Sequence, residues 1–219
     1  MTIAQNLQHI QSTLPETVTL VAVSKTKPIS DLTEAYEANQ RVFGENKIQE
    51  MADKWEEMPK DIQWHMIGHV QTNKVKYMAP FVSLIHGVDS FKLLKEINKQ
   101  AAKNNRIIDC LLQFHIAKEE TKFGLDEQEL NEIIASPEFS AMQNIRILGV
   151  MGMATFTDNQ NQVKKEFTHL KSIFDNLKAQ NPVHCNLNTI SMGMSGDYQL
   201  AIECGSTMVR IGSSIFGGR

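Results

Sequence analysis

A lysine ends one apolar run and an arginine interrupts another. Lys25 follows VTLVAV at 18–23, and Arg210 lies within MVRI at 208–211. If the first run is a strand with Val21 and Val23 facing inward, period-two alternation turns Lys25 inward as well. Lost solvation beside an apolar wall favours a neutral amine, and a neutral amine adds to an aldehyde to form an imine. The competing reading is a rim lysine in solvent, as for Lys27 one step further out. Arginine inside a strand must reach a rim, a ligand or an anion to escape an unpaired buried charge. Glu45 or Glu203 could supply a purely structural partner.

Two stretches of small residues add an anion site. Ser191-Met-Gly-Met-Ser-Gly196 leads into a helical pattern, with Ser195 suited to N-cap it. Exposed N–H groups at a helix start attract phosphate. Gly212-Ser213-Ser214 supplies further small residues after the last strand. The competing reading is a pair of plain turns and a cap. Other arrangements carry less. His65 and His69 have the spacing of metal ligands on a helix, but this segment reads as strand and turn. Neither Ser191 nor Ser195 sits in a G-x-S-x-G elbow. The eleven methionines read as core filler, and Lys92, Lys95, Lys99 and Lys103 as the solvated side of a helix.

Eight short apolar runs must position these groups. They fall at 18–23, 41–43, 63–67, 83–86, 107–116, 146–151, 187–191 and 208–211. Helical patterns separate them at 29–39, 46–57, 71–79, 90–103, 126–135, 159–180 and 196–204. Strands alternating with helices predict parallel pairing through βαβ units. Eight units in 219 residues fit one (β/α)8 TIM barrel, and an open doubly wound sheet is the alternative. Residues 2–12 add an extra N-terminal helix. Residues 1–219 read as a single domain. Barrel sites lie at the C-terminal ends of the strands, with phosphate often bound by the loops after strands seven and eight. Lys25, Asn46, the Ser191–Gly196 loop and Gly212-Ser213 all follow strands.

A formal net charge of −3 without a long Lys/Arg run argues against nucleic acid and anionic membrane as partners. Three cysteines, Cys110, Cys185 and Cys204, suit a reducing cytoplasm rather than a disulfide framework. The N-terminus lacks a signal-peptide pattern, and no stretch has the length of a spanning helix. These features predict a cytoplasmic protein.

Six blocks now carry a resemblance: LVAVSKTKP (20–28), FGENKIQE (43–50), WHMIGHVQTNK (64–74), LGVMGMAT (148–155), SMGMSGDYQLAI (191–202) and GSTMVRIGSSIFG (205–217). In this order they resemble the pyridoxal-phosphate homeostasis protein family and cover nearly the whole chain. The resemblance implies the alanine racemase type of barrel, fold type III, with pyridoxal 5'-phosphate (PLP) as cofactor. It implies that Lys25 is the imine lysine and that Arg210 faces the pyridine nitrogen. By the same resemblance Asn46 would lie near the ring, and Ser191, Gly193, Ser195, Gly212 and Ser213 would cradle the phosphate. Lys27 and Lys122 would help transfer the cofactor. The chain departs from the family at its tail, FGGR, where members run on to a tyrosine.

A racemase needs a second base, which in alanine racemases is a tyrosine from an added domain. Here the eight units use the whole chain, and Tyr36, Tyr77 and Tyr198 fall in helical segments away from the expected mouth. The expectation is therefore a carrier or buffer in vitamin B6 homeostasis, not an enzyme, monomeric or weakly dimeric. Its partners are PLP and PLP-requiring apo-enzymes. The rivals are a small PLP-dependent racemase or lyase, an aldolase-type barrel, and an interaction protein without cofactor.

Overall fold

In a computed structural model of the chain, residues 2–119 and 123–218 are described. Lys122 lies outside them. The strands are β1 (Thr19–Val23), β2 (Val42–Glu45), β3 (Gln63–Met66), β4 (Leu84–Val88), β5 (Ile108–Phe114), β6 (Ile145–Gly152), β7 (Cys185–Ser191) and β8 (Met208–Ile211). The helices are α1 (Ile3–Thr13), α2 (Ile29–Glu37), α3 (Ile48–Glu57), α4 (Val75–Met78), α5 (Phe91–Lys103), α6 (Glu127–Ala135), α7 (Pro137–Ser140), α8 (Gln160–Gln180), α9 (Tyr198–Glu203) and α10 (Ser213–Phe216).

Each strand pairs in parallel with the next, and β8 returns to β1 from Thr19↔Met208 to Ala22↔Ile211, closing the barrel. The expected (β/α)8 architecture is what the chain forms. Alternation along β1 explains why its run is apolar throughout. Leu20 and Ala22 join the outer core under the helices, while Val21 joins an inner cluster with Leu84, Leu111, Met151 and Met208. Both faces are covered, so polar positions are lost from both. Each fully buried Leu, Ile or Phe contributes roughly 1.5–3 kcal/mol. Gly149 permits the close approach of β6 to β7, because a Cβ there would lie 1.7 Å from the Thr189 carbonyl oxygen.

The added helix α1 is present. A capping box between Thr2 and Gln5 starts it, and Leu7 and Ile10 are buried in the outer core. Asn6 Nδ2 ties it to the Ile215 carbonyl at 2.9 Å. Several boundaries differ from the sequence pattern. The stretch 71–79 is a 3-10 turn at Thr72–Lys74 followed by one α turn. Two short helices, α7 and α10, were not expected. Pro137 occupies the first turn of α7, where its missing N–H costs nothing.

Ser195 is not a helix cap. The helix starts two residues later, with Asp197 at the N-cap. Asp197 Oδ1 instead accepts from the Met194 N–H at 2.6 Å. That bond closes the turn before the helix, so Ser195 lies inside a turn and its hydroxyl reaches toward the next loop.

Candidate functional site

The C-terminal ends of the strands open on a cavity of about 550 Å³. Lys25, Asn46, Ser195, Arg210, Gly212 and Ser213 all line it. Six of the eight predicted site residues therefore meet in one place. Val23 lines the same wall as Lys25, and Val21 faces the barrel interior, as the alternation requires. Ser191 and Gly193 stand behind the wall. Ser191 is fully buried, and the Gly193 carbonyl accepts from the Arg210 N–H at 3.0 Å. Gly193 has φ +96, and a Cβ there would sit 2.7 Å from that of Ala201, so this turn admits only glycine.

Arg210 is buried at the cavity floor. Its Nη1 donates to the Ser191 carbonyl at 2.8 Å and to Ser191 Oγ at 2.5 Å, and Nη2 donates to the Gly152 carbonyl at 3.1 Å. These bonds use three of its five N–H groups. Among the described residues no carboxylate lies within ion-pair distance of it. Neither Glu45 nor Glu203 is its partner. Burial lowers its pKa to about 10, with Asp197 opposing the change. It therefore remains a cation at neutral pH.

Behind Ser191 lie two buried histidines. His86 Nδ1 is 3.0 Å from Ser191 Oγ, and His86 Nε2 is 3.0 Å from His65 Nδ1. Burial pushes His65 down to about 3 and His86 well below its usual value. Sequence reading weighed His65 only against His69. His69 instead pairs with Asp89 at 2.8 Å and stacks on Phe123 at the cavity rim. Strand parity carried the missed signal, since His65 and His86 each face inward on adjacent strands.

The strand end that carries Lys25 is held from below. Lys54 Nζ, buried on α3, donates to the Ser24 carbonyl at 2.8 Å, to Glu45 Oε1 at 2.7 Å and to Glu50 Oε1 at 2.7 Å. Ser24 Oγ also donates to Glu45 Oε1 at 2.6 Å. Burial raises the Glu45 pKa, while hydrogen bonds from Lys54 and Ser24 oppose the rise. Thr26 has φ +63, and its N–H donates to Glu50 Oε1 at 2.6 Å. The cluster thus fixes the residues on both sides of Lys25.

Around the rim, Lys27 Nζ donates to the carbonyls of Phe216, Gly217 and Gly218 at 3.0–3.2 Å. It clasps the C-terminal segment that closes one side of the cavity. The N–H groups of Gly196, Ser213 and Ser214 have no acceptor among the described residues, as expected where a turn or helix begins. Asn46 Oδ1 is buried and without a partner in the same set. Tyr36 and Tyr198 are engaged elsewhere, with Asp61 and Thr13. Tyr77 lies nearer the mouth than expected. It lines a second cavity of about 270 Å³ that shares Asn46 and His69 with the first.

The closed barrel with Lys25 and Arg210 lining its C-terminal mouth defines the class of protein, and comparison with known proteins narrows it. The family model described as alanine racemase, N-terminal domain, matches residues 1–219. The chain is 40% identical over 202 residues to the pyridoxal phosphate homeostasis protein of Aquifex aeolicus, covering 91% of this chain and 86% of that one. It is 38% identical over 233 residues to the protein of the same name in Vibrio alginolyticus, covering 99% and 97%. The structure of PipY from Synechococcus elongatus with PLP bound superposes with a TM-score of 0.90 at 34% identity, covering 99% of this chain and all of that one. The chain belongs to the alanine racemase N-terminal domain family and, within it, to the pyridoxal phosphate homeostasis proteins. An alanine racemase from Bartonella henselae shares the fold, with a TM-score of 0.71 at 16% identity and 58% of its own length covered.

Proposed function

We propose that this chain binds pyridoxal 5'-phosphate at the barrel mouth and serves as its carrier or buffer, maintaining vitamin B6 without dedicated turnover. The observation that carries the reading is the buried Arg210, a cation with no carboxylate partner among the described residues, facing the cavity that Lys25 also lines. The residues present fit the cofactor. Lys25 is the amine available to an aldehyde. Arg210 has N–H groups left for a ring nitrogen. Gly196, Ser213 and Ser214 offer N–H groups to a phosphate, and Asn46 Oδ1, without a partner among the described residues, would stand near the ring. When bound, the cofactor supplies an aldehyde that condenses with amines and a ring that accepts electrons.

Arg210 would weaken that ring as an electron sink, which by itself does not forbid catalysis. A fixed cation disfavours protonation of a neighbouring pyridine nitrogen and so weakens its pull on electrons. Of the three tyrosines, Tyr36 and Tyr198 bond away from the cavity, and Tyr77 lines the adjoining one. The reading takes residues 1–219 as one cofactor-holding unit, with PLP-requiring apo-enzymes as recipients. Names of relatives and the PLP-bound PipY structure support it.

The test is the visible absorption spectrum of the protein and of Lys25→Ala, before and after addition of PLP. The expected result is a lysine-linked chromophore in the native protein that is absent from the variant. A protein that stays colourless with added cofactor removes the reading. Sustained turnover in a chiral assay against a panel of amino acids would replace the carrier with an enzyme.

A further inference from the structure

The hydrogen bonds behind Arg210 have a direction. A guanidinium only donates, so Nη1 gives a hydrogen to Ser191 Oγ across 2.5 Å. The Ser191 hydroxyl is fully buried, and its own hydrogen needs an acceptor. His86 Nδ1, 3.0 Å away, is the one available among the described residues. His86 must then carry its proton on Nε2, which points at His65 Nδ1 across 3.0 Å. His65 in turn carries its proton on Nε2. The reversed tautomers would keep the three bonds but strand the buried Ser191 hydrogen, whereas this arrangement gives it an acceptor. A proton added to His86 Nδ1 would leave the serine hydrogen without a partner and set a second cation beside Arg210. A proton added to His65 Nδ1 would face the N–H of His86.

We propose that His86, backed by His65, is a positioning residue for Arg210: the one-way chain keeps both imidazoles neutral and holds the guanidinium aimed at the cavity. The inference rests on the proposed cofactor reading for its consequence, which is that the ring nitrogen of a bound PLP stays unprotonated. The chain itself stands without that reading. Among the described residues Arg210 has no carboxylate to orient it. Its direction comes from Ser191 and Gly152, and that of the Ser191 hydroxyl from His86. Burial of both histidines is consistent with the neutral state.

Two measurements separate the chain from its consequence. In ligand-free protein carrying 15N-histidine, His65 and His86 should both show the neutral form with the proton on Nε2 between about pH 5 and 8, where an ordinary histidine titrates. Titration of either, or a proton on Nδ1, overturns the proposal. In the second measurement, 15N-labelled PLP is bound to the native protein, to His86→Gln and to His86→Leu. Glutamine can accept from Ser191 and donate to His65, so it should keep the ring-nitrogen signal of the native protein. Leucine should move that signal toward the protonated position and weaken binding about tenfold, the effect of losing one buried hydrogen bond. Unchanged signal and affinity in His86→Leu overturn the positioning role. If that variant does not fold, Ser191→Ala cuts the same chain by one atom and is read identically. Failure of the native protein to bind PLP defeats the cofactor reading instead, and the histidine spectra still decide the chain.

Discussion

Two buried cations sit under the same barrel mouth and are treated in opposite ways. Lys54 is bracketed by Glu45 and Glu50, each at 2.7 Å. Among the described residues the side chain of Arg210 has only neutral partners, two carbonyls and a hydroxyl. An interior charge whose bonds are complete holds structure. An interior charge with N–H groups left over and a cavity before it is available to a ligand. Lys54 accordingly fixes the Ser24 backbone, one residue from Lys25, while Arg210 faces the space a ligand would fill.

Removing Lys54 should have the largest effect on stability. Lys54→Met leaves Glu45 ionised, buried and unpaired, which costs about 3–5 kcal/mol. Urea denaturation measures the loss. The double variant Lys54→Met, Glu45→Gln should recover much of it, because the stranded charge is gone. A single variant as stable as the native protein would mean that Lys54 and Arg210 do not differ in kind.

The pH dependence should separate the two regions by sign. His65 has an ordinary value of 6.5 and falls to about 3 in the fold, and His86 is also lowered. Below 6.5 the unfolded chain takes up protons that the folded chain refuses. Stability from these groups is therefore present above that value and lost as the pH falls toward 3. His65 contributes a slope of about 1.4 kcal/mol per pH unit inside that window, and His86 acts in the same direction. Glu45 behaves oppositely. Its raised pKa means that its contribution is present below its ordinary value of 4.5 and lost as the pH rises through the folded value. Urea midpoints from neutral pH downward should fall steeply, and His86→Gln should remove part of that slope. An unchanged slope in that variant would place the acid sensitivity elsewhere.

The two regions were also unequally legible in the sequence. Strand–helix alternation identified the barrel, and period-two parity alone turned Lys25 inward. Arg210 stood out because an apolar strand rarely carries a charge. Lys54 did not stand out. It lies on an amphipathic helix among Glu50, Asp53, Glu56 and Glu57, where a solvated lysine would look the same. Its burial depends on how α3 seats against β1 and β2, a tertiary fact. The His65–His86 contact joins residues 21 apart and needs both strands in register. The helix within 196–204 was legible, but its start and the turn before it escaped because Asp197 and Ser195 are both good caps by type, and local sequence does not choose between them.

Replacing Arg210 should cost less than replacing Lys54, because no carboxylate is stranded. Arg210→Met leaves Gly152 and Ser191 short of donors, for a loss of about 1–3 kcal/mol. The release of a desolvated charge offsets part of that. Binding of PLP, followed by fluorescence titration, should weaken by much more than tenfold. A variant that unfolds like Lys54→Met yet binds normally would reverse the assignment of the two cations.

The smallest effect should come from Ser24→Ala. Its hydroxyl donates to Glu45 Oε1 at 2.6 Å, but Lys54 already serves the same oxygen. Loss of one bond to a carboxylate that keeps its ion pair should cost about 1 kcal/mol and leave the PLP chromophore and affinity unaltered. Ser191→Ala removes a hydroxyl of the same size from the other region, where it links Arg210 to His86, and there the bound cofactor should respond. Equal stability losses with a spectral change only at Ser191 would keep the division between structural and ligand-facing cations. A matching loss of affinity in Ser24→Ala would join the Lys54 cluster to the binding site.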